Sequence, residues 1–172
     1  MTNDSPDGSE SRPYRRRRAL PHEPPLFIDT TKETFFVTIA CRHRGPNQLC
    51  HPGVAKILFD AALFYQMKQQ WFLHLMVLMH DHLHFLVGFA LDTKMTNVVR
   101  AWKRYTSTHS QVQWQRDFFD HRLRREESFT EKAEYILQNP VRAGLVHHVD
   151  DWPYVLVFDP YGRDVSPRRP LG

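Results

Sequence analysis

Residues 71–89, WFLHLMVLMHDHLHFLVGF, form two apolar runs divided by a short polar break, and no other stretch limits the possible folds as much. WFLHLMVLM (71–79) is continuously apolar, as a central strand buried on both faces would be. HLHFLVGF (82–89) reads as a second strand, joined to the first by a turn through His80 and Asp81. A turn this short joins antiparallel neighbours. The break places His80, Asp81, His82 and His84 within five positions of a stretch bound for the interior. Polar side chains there need partners or a task, because burying them unpaired is costly.

The flanking pattern alternates strand and helix. ETFFVTIACR (33–42) is β-branched and aromatic, hence a strand. In HPGVAKILFDAALFYQMKQQ (51–70), Val54, Ile57, Leu58, Ala61, Ala62 and Phe64 recur at helical spacing, and Pro52 stands where a first turn tolerates it. KMTNVVRAWKRYTSTHS (94–110) predicts a second amphipathic helix, and DFFDHRLR (117–124) a strand. SFTEKAEYILQN (128–139) predicts a third helix, opened by the capping box Ser128–Phe129–Thr130–Glu131 and ended or bent before Pro140. Strand, helix, two strands, helix, strand is the order of a ferredoxin-like α+β antiparallel sheet with helices on one face, here with one further C-terminal helix appended.

At 172 residues the chain suits one core-bearing domain, over 26–158. Residues 1–25 are rich in Ser, Pro, Asp and Arg and read as a disordered arm, and 159–172 as a flexible tail. Arg15, Arg16, Arg17 and Arg18 in the arm are either a solvated charge run or a strip that lies along phosphates. The net charge of +4 is compatible with a polyanionic partner and decides nothing alone. Cys41 and Cys50 make neither a disulfide framework nor a ligand-spaced zinc pair. With no secretory signal and no uninterrupted apolar run of about eighteen residues, a cytoplasmic protein without a membrane span is expected.

Strand alternation turns His82 and His84 to one face and Leu83, Phe85 and Val87 to the other. Two same-face imidazoles about 7 Å apart can converge on a divalent metal, given further ligands. The same spacing also suits a hydrogen-bonded pair with no metal. Asp81 could orient an imidazole or simply serve the turn, and His74 reads as a core residue. On the third helix, at about 100° per residue, Phe129, Ala133, Ile136 and Leu137 share a stripe that should face the sheet. Tyr135 falls roughly 140° from that stripe, so packing does not explain it. Asn139 follows one turn later. A tyrosine and an amide oxygen presented to a two-histidine strand would set a nucleophile beside a metal, an arrangement that suits phosphodiester cleavage.

At this point an ordered set of segments resembles the REP-associated tyrosine transposases, within the single-tyrosine HUH transposases of insertion sequences. ETFFVTIACRHR, VLMHDHLHFLV, WKRYTS, WQRDFFDHRLR, EYILQNPVRAGLV and DDWPYVLV follow one another as that family's segments do, over roughly 27–158. The resemblance implies an HUH palm, a ferredoxin-like sheet, that cleaves and rejoins single-stranded DNA through a covalent 5′-phosphotyrosine on Tyr135. It implies Mg²⁺ or Mn²⁺ held by His82, His84 and Asn139, and a hairpin-forming palindrome as the recognised DNA. His121 matches a recurrent family position without an assignable role beyond supporting the site, binding DNA or packing. Where the family usually carries Pro-Asn before the first histidine, this chain has His80 and Asp81, which bears on metal preference and offers His80 as a wrong ligand.

Phosphate contacts are expected from Arg100, Lys103 and Arg104, with Trp102 between them either as a stacking platform or buried beneath a solvated face. Arg122, Arg124 and Arg125 are further candidates. The expected state is a monomer, with a dimer as the alternative, in the bacterial cytoplasm at the nucleoid. Two rival functions remain at this stage. One is a non-catalytic single-strand-binding module, which needs no metal. The other is a metal nuclease using water, for which Tyr135 would be dispensable.

Overall fold

The structure, a computed structural model, describes residues 34–90, 92–123 and 129–158. The arm with Arg15, Arg16, Arg17 and Arg18, the segment with Arg124, Arg125 and Ser128 of the capping box, and the tail lie outside the described residues. The elements run β1 (Phe35–Ala40), α1 (Pro52–Met67), β2 (Trp71–Leu78), β3 (His82–Phe89), α2 (Met95–Ser110), β4 (Phe119–Arg122), α3 (Phe129–Leu137), a short helical turn α4 (Asn139–Arg142), a 3-10 turn (Val149–Asp151) and β5 (Val155–Val157). The strands form one antiparallel sheet in the order β4-β1-β3-β2-β5. The first four strands thus take the ferredoxin-like arrangement. The closing segment adds a fifth strand along the outer edge of β2, where Trp152 Nε1 also donates to the Leu78 carbonyl at 2.9 Å.

Register assigns the two faces. Trp71 pairs with Phe89, Val37 with Phe85 and Ile39 with Leu83, so one face is continuously apolar and buried. α1 and α2 cover it, with Trp102 packed on Trp71 at 6.1 Å between ring centroids. Burying side chains of this size is the main stabilising contribution in the fold. The opposite face carries Phe36, Thr38, His82, His84 and Leu86, with His121 opposite Phe36 on the edge strand. α3 lies on this second face, Phe129 meeting His74 edge-on at 5.3 Å and Lys132 Nζ standing 5.4 Å from the Phe36 ring. The appended helix is therefore across the sheet from α1 and α2.

Three local expectations are corrected. Phe64 does not join the core: it is half exposed in the last turn of α1, its ring covered by the Lys68 ammonium at 5.7 Å. The fourth strand is the four residues Phe119–Arg122 rather than 117–124. Asn139 does not extend the third helix. α3 stops at Leu137, and Asn139 begins a separate turn in which Pro140, near its start, needs no N–H partner.

Candidate active site

His82 and His84 stand side by side on the helix-α3 face, their ring centroids 4.8 Å apart. Each is fixed through Nδ1. His82 Nδ1 lies 2.7 Å from Asp81 Oδ1, and His84 Nδ1 lies 2.8 Å from Thr38 Oγ1, the residue paired with it across β1 and β3. A carboxylate opposite Nδ1 favours the tautomer with the proton there, which leaves Nε2 of His82 as a lone-pair donor. Thr38 can accept from His84 in the same way. Phe36 stacks on His84 at 5.4 Å and closes the other side of the ring.

Asp81 is itself strongly held. Its Oδ2 accepts from the Gly45 N–H at 2.6 Å and from Arg44 Nε at 2.8 Å. Burial alone would raise its pKa, but the Gly45 N–H, the His82 ring and the Arg44 guanidinium outweigh burial and hold the carboxyl below its ordinary value. His84 is pushed down to about 3, by burial first and then by the charges of His82, Arg142 and Arg44. It is neutral at physiological pH, as a ligating imidazole must be.

A divalent metal fits this donor set on two grounds. Both Nδ1 atoms are engaged, so the ring nitrogens that remain are the two Nε2 atoms. Among the described residues no group of three His, Cys, Asp or Glu side chains could hold a metal ion, so the two histidines would need a partner of another kind to bind one. The Asn139 amide oxygen is the kind of donor a hard cation takes. The amide is polar and partly buried, and its Nδ2 has no hydrogen-bond partner among the described residues.

Tyr135 projects from α3 with about half its surface exposed, 53%. Ile136, the next residue, is fully buried against the sheet. Two cations lie over the phenol ring: the Arg142 guanidinium carbon at 4.1 Å and Lys132 Nζ at 5.7 Å. Lys132 also faces Phe36, which stacks on His84, so contacts run continuously from the histidines to the tyrosine. Arg142 makes a second connection, donating through Nη2 to the Tyr135 carbonyl and to Asn139 Oδ1.

Other expected site residues fall elsewhere. Lys103 is overturned as a phosphate contact: it is 9% exposed, and its ammonium donates to the Gln115 and Arg116 carbonyls at 2.7 and 2.9 Å. Burial lowers its pKa, and its ammonium is committed to backbone carbonyls. Trp102 is wholly buried between Trp71 and Trp114, which removes it as a stacking platform. Arg100 and Arg104 are exposed, but on α2, across the sheet from the histidines. His121 shares the histidine face on β4, whereas Arg122, paired with Phe35, belongs to the other face. His80 turns towards Trp152, with ring centroids 6.3 Å apart. Cys41 and Cys50 are buried free thiols, each pushed up to about 12 mainly by burial.

No protein-family model matches the chain. The solved structure of a REP-associated tyrosine transposase bound to a REP hairpin superposes with a TM-score of 0.63 at 23% identity, covering 72% of this chain and 75% of that one, which shows a shared fold. The REP-associated tyrosine transposase of Escherichia coli K12 is 25% identical over 138 residues, 77% of this chain and 79% of that protein. A candidate REP-associated tyrosine transposase of Haemophilus influenzae is 44% identical over 41 residues, so that alignment spans 23% of the relative's length. The chain is a relative of the REP-associated tyrosine transposases.

Beside the REP-associated tyrosine transposase pattern, four side chains had not been singled out from the sequence. They are Thr38, Arg44, Lys132 and Arg142. Thr38 depends on strand register and Arg44 on the path of a loop, neither of which a motif carries. Lys132 was open to discovery, three residues before the tyrosine on the same helix, whereas Arg142 depends on the break between α3 and α4.

Proposed function

We propose that this relative of the REP-associated tyrosine transposases is a DNA strand-transferase that recognises a hairpin-forming palindrome and cleaves and rejoins an adjoining single strand. The reading rests on one observation above others. Two histidines, each tethered through Nδ1, lie on the sheet face crossed by a helix whose tyrosine is exposed under two cations. A tyrosine placed only for packing would be buried with Ile136.

In this reading His82, His84 and Asn139 hold Mg²⁺ or Mn²⁺, with Asp81 and Thr38 fixing the two rings. Such an ion supplies Lewis-acid polarisation of the scissile phosphate. The Tyr135 phenol oxygen attacks phosphorus and loses its proton. A bond forms between that oxygen and phosphorus, the bond to the 3′ oxygen breaks, and the 3′ oxygen leaves as a hydroxyl after taking up a proton. The DNA stays attached as a 5′-phosphotyrosine, so attack by a 3′-OH restores a phosphodiester without an external energy source. Lys132 flanks the phenol where negative charge accumulates and is placed to balance it. Arg100 and Arg104, across the sheet, could serve only a duplex arm that reaches round the molecule. Since α3 crosses its own sheet, one protomer carries all four groups, which supports a monomer.

The test uses 3′-labelled single-stranded DNA carrying a palindrome and a flanking strand, incubated with the protein and Mn²⁺ or Mg²⁺ and run on a denaturing gel. Label is expected to migrate with the protein, and to be lost with Tyr135→Phe, with His82→Ala and with chelator. Cleavage that persists in Tyr135→Phe would replace this mechanism by hydrolysis. Binding without cleavage by any version, across palindromes flanking the gene, would leave a recognition module.

A further inference from the structure

We propose that Arg142 is a positioning residue that holds the Asn139 amide oxygen in the DNA-free protein and competes for it with the metal. This deepens the reading above and rests on it. Arg142 touches three parts of the site at once. Its Nη2 donates to the side-chain oxygen of Asn139 and to the Tyr135 carbonyl, and its guanidinium plane covers the Tyr135 ring. The Asn139 oxygen, the atom a hard cation would take, is thereby occupied. The amide nitrogen is buried without a partner. The amide is thus pinned by its oxygen alone.

Release is not demanding. Arg142 is on the surface, and exposed charged contacts contribute little net stability because water competes for both groups. An incoming phosphate offers the guanidinium a stronger, bidentate partner. Arrival of DNA therefore frees the Asn139 oxygen for the ion and uncovers the phenol together. Metal and DNA binding become mutually favourable through one side chain.

The experiment is titration of Mn²⁺ into the DNA-free protein, followed by loss of the free-ion EPR signal, for wild type, His82→Ala, Arg142→Ala, Asn139→Ala and the Arg142→Ala/Asn139→Ala double variant. Arg142→Ala is expected to bind Mn²⁺ about fivefold or more tightly than wild type, while in the Asn139→Ala background the same change moves affinity less than about twofold. A gain of equal size in both backgrounds would mean that Arg142 acts by charge alone and overturns the proposal. So would no gain in either background. If wild type and His82→Ala bind Mn²⁺ alike, the metal reading falls, and this proposal with it. If only the Arg142 comparison fails, the metal reading stands. Thermal melts identify any variant that has not folded, and Arg142→Gln, which can still donate to Asn139 but carries no charge, then replaces Arg142→Ala. Arg142→Gln is expected to stay within about twofold of wild type, and the gain predicted for pure charge action would overturn the proposal.

Discussion

Asp81 uses both carboxylate oxygens, one on the His82 ring and the other on Arg44 and the Gly45 N–H. A carboxylate so tied cannot swing away, which favours one orientation and one tautomer of His82. Removing such an orienting partner typically weakens metal binding by about 10–100-fold. Asp81→Ala should therefore lower Mn²⁺ affinity within that range in a calorimetric titration. Asp81→Asn, which keeps the shape and one acceptor but loses the charge that pairs Arg44, should fall between it and wild type. An Asp81→Ala protein with wild-type affinity would remove the residue from the site. His80, the other departure in this turn, lies against Trp152, so the aspartate is the substitution with chemical consequences for His82.

At the scale of elements, α2 shows how one helix divides its charges. Arg100 and Arg104 reach solvent, whereas Lys103 between them binds the carbonyls of Gln115 and Arg116 and fastens the loop before β4. Lys103→Ala would strand those carbonyls and should cost about 1–3 kcal/mol in urea denaturation. Arg104→Ala should stay within about 0.5 kcal/mol of wild type. Hairpin-DNA affinity of the folded Lys103→Ala protein should be unchanged, and a large loss would restore it as a DNA contact. On a helical wheel the three cations look alike; what separates them is where the chain lands after α2, which no local pattern encodes. The same distinction runs through the fold. β2 was legible as a continuous apolar run, β1 from its β-branched and aromatic residues, and the helices from apolar residues recurring at about 3.6. β5 was not, since Val155–Val157 is a strand only because the edge of β2 offers it partners. The histidine pair and Tyr135 were legible as departures from apolar patterning. Arg142 was not, because its role depends on the break at Gln138 that turns Asn139 into a new helical turn.

For the whole molecule, the histidine face sets a pH limit on stability. His84 is pushed down to about 3, chiefly by burial, and burial also lowers His74. Unfolded imidazoles titrate near 6.5, so as the pH falls below about 6.5 the unfolded chain takes up protons that the folded one refuses. Both residues therefore leave stability complete above about 6.5 and reduce it as the pH falls below that, His84 continuing to do so down to about 3. Asp81, held below its ordinary value, adds a loss in the same direction at the acid end. Urea midpoints measured at steps from pH 7 to pH 4 should fall throughout, with a shallower slope for His84→Gln. A flat profile would mean that the face is wetter than its burial implies.

The sheet has one further property. β4 closes one edge and β5 the other, and the segment between them carries α3 across the histidines. A ribosome makes β5 after every other element of the described fold. Until then the outer edge of β2, the strand whose His74 meets Phe129 of α3, lacks its β5 partner. The edge of the sheet beside α3 is therefore the last part of the described fold to be finished.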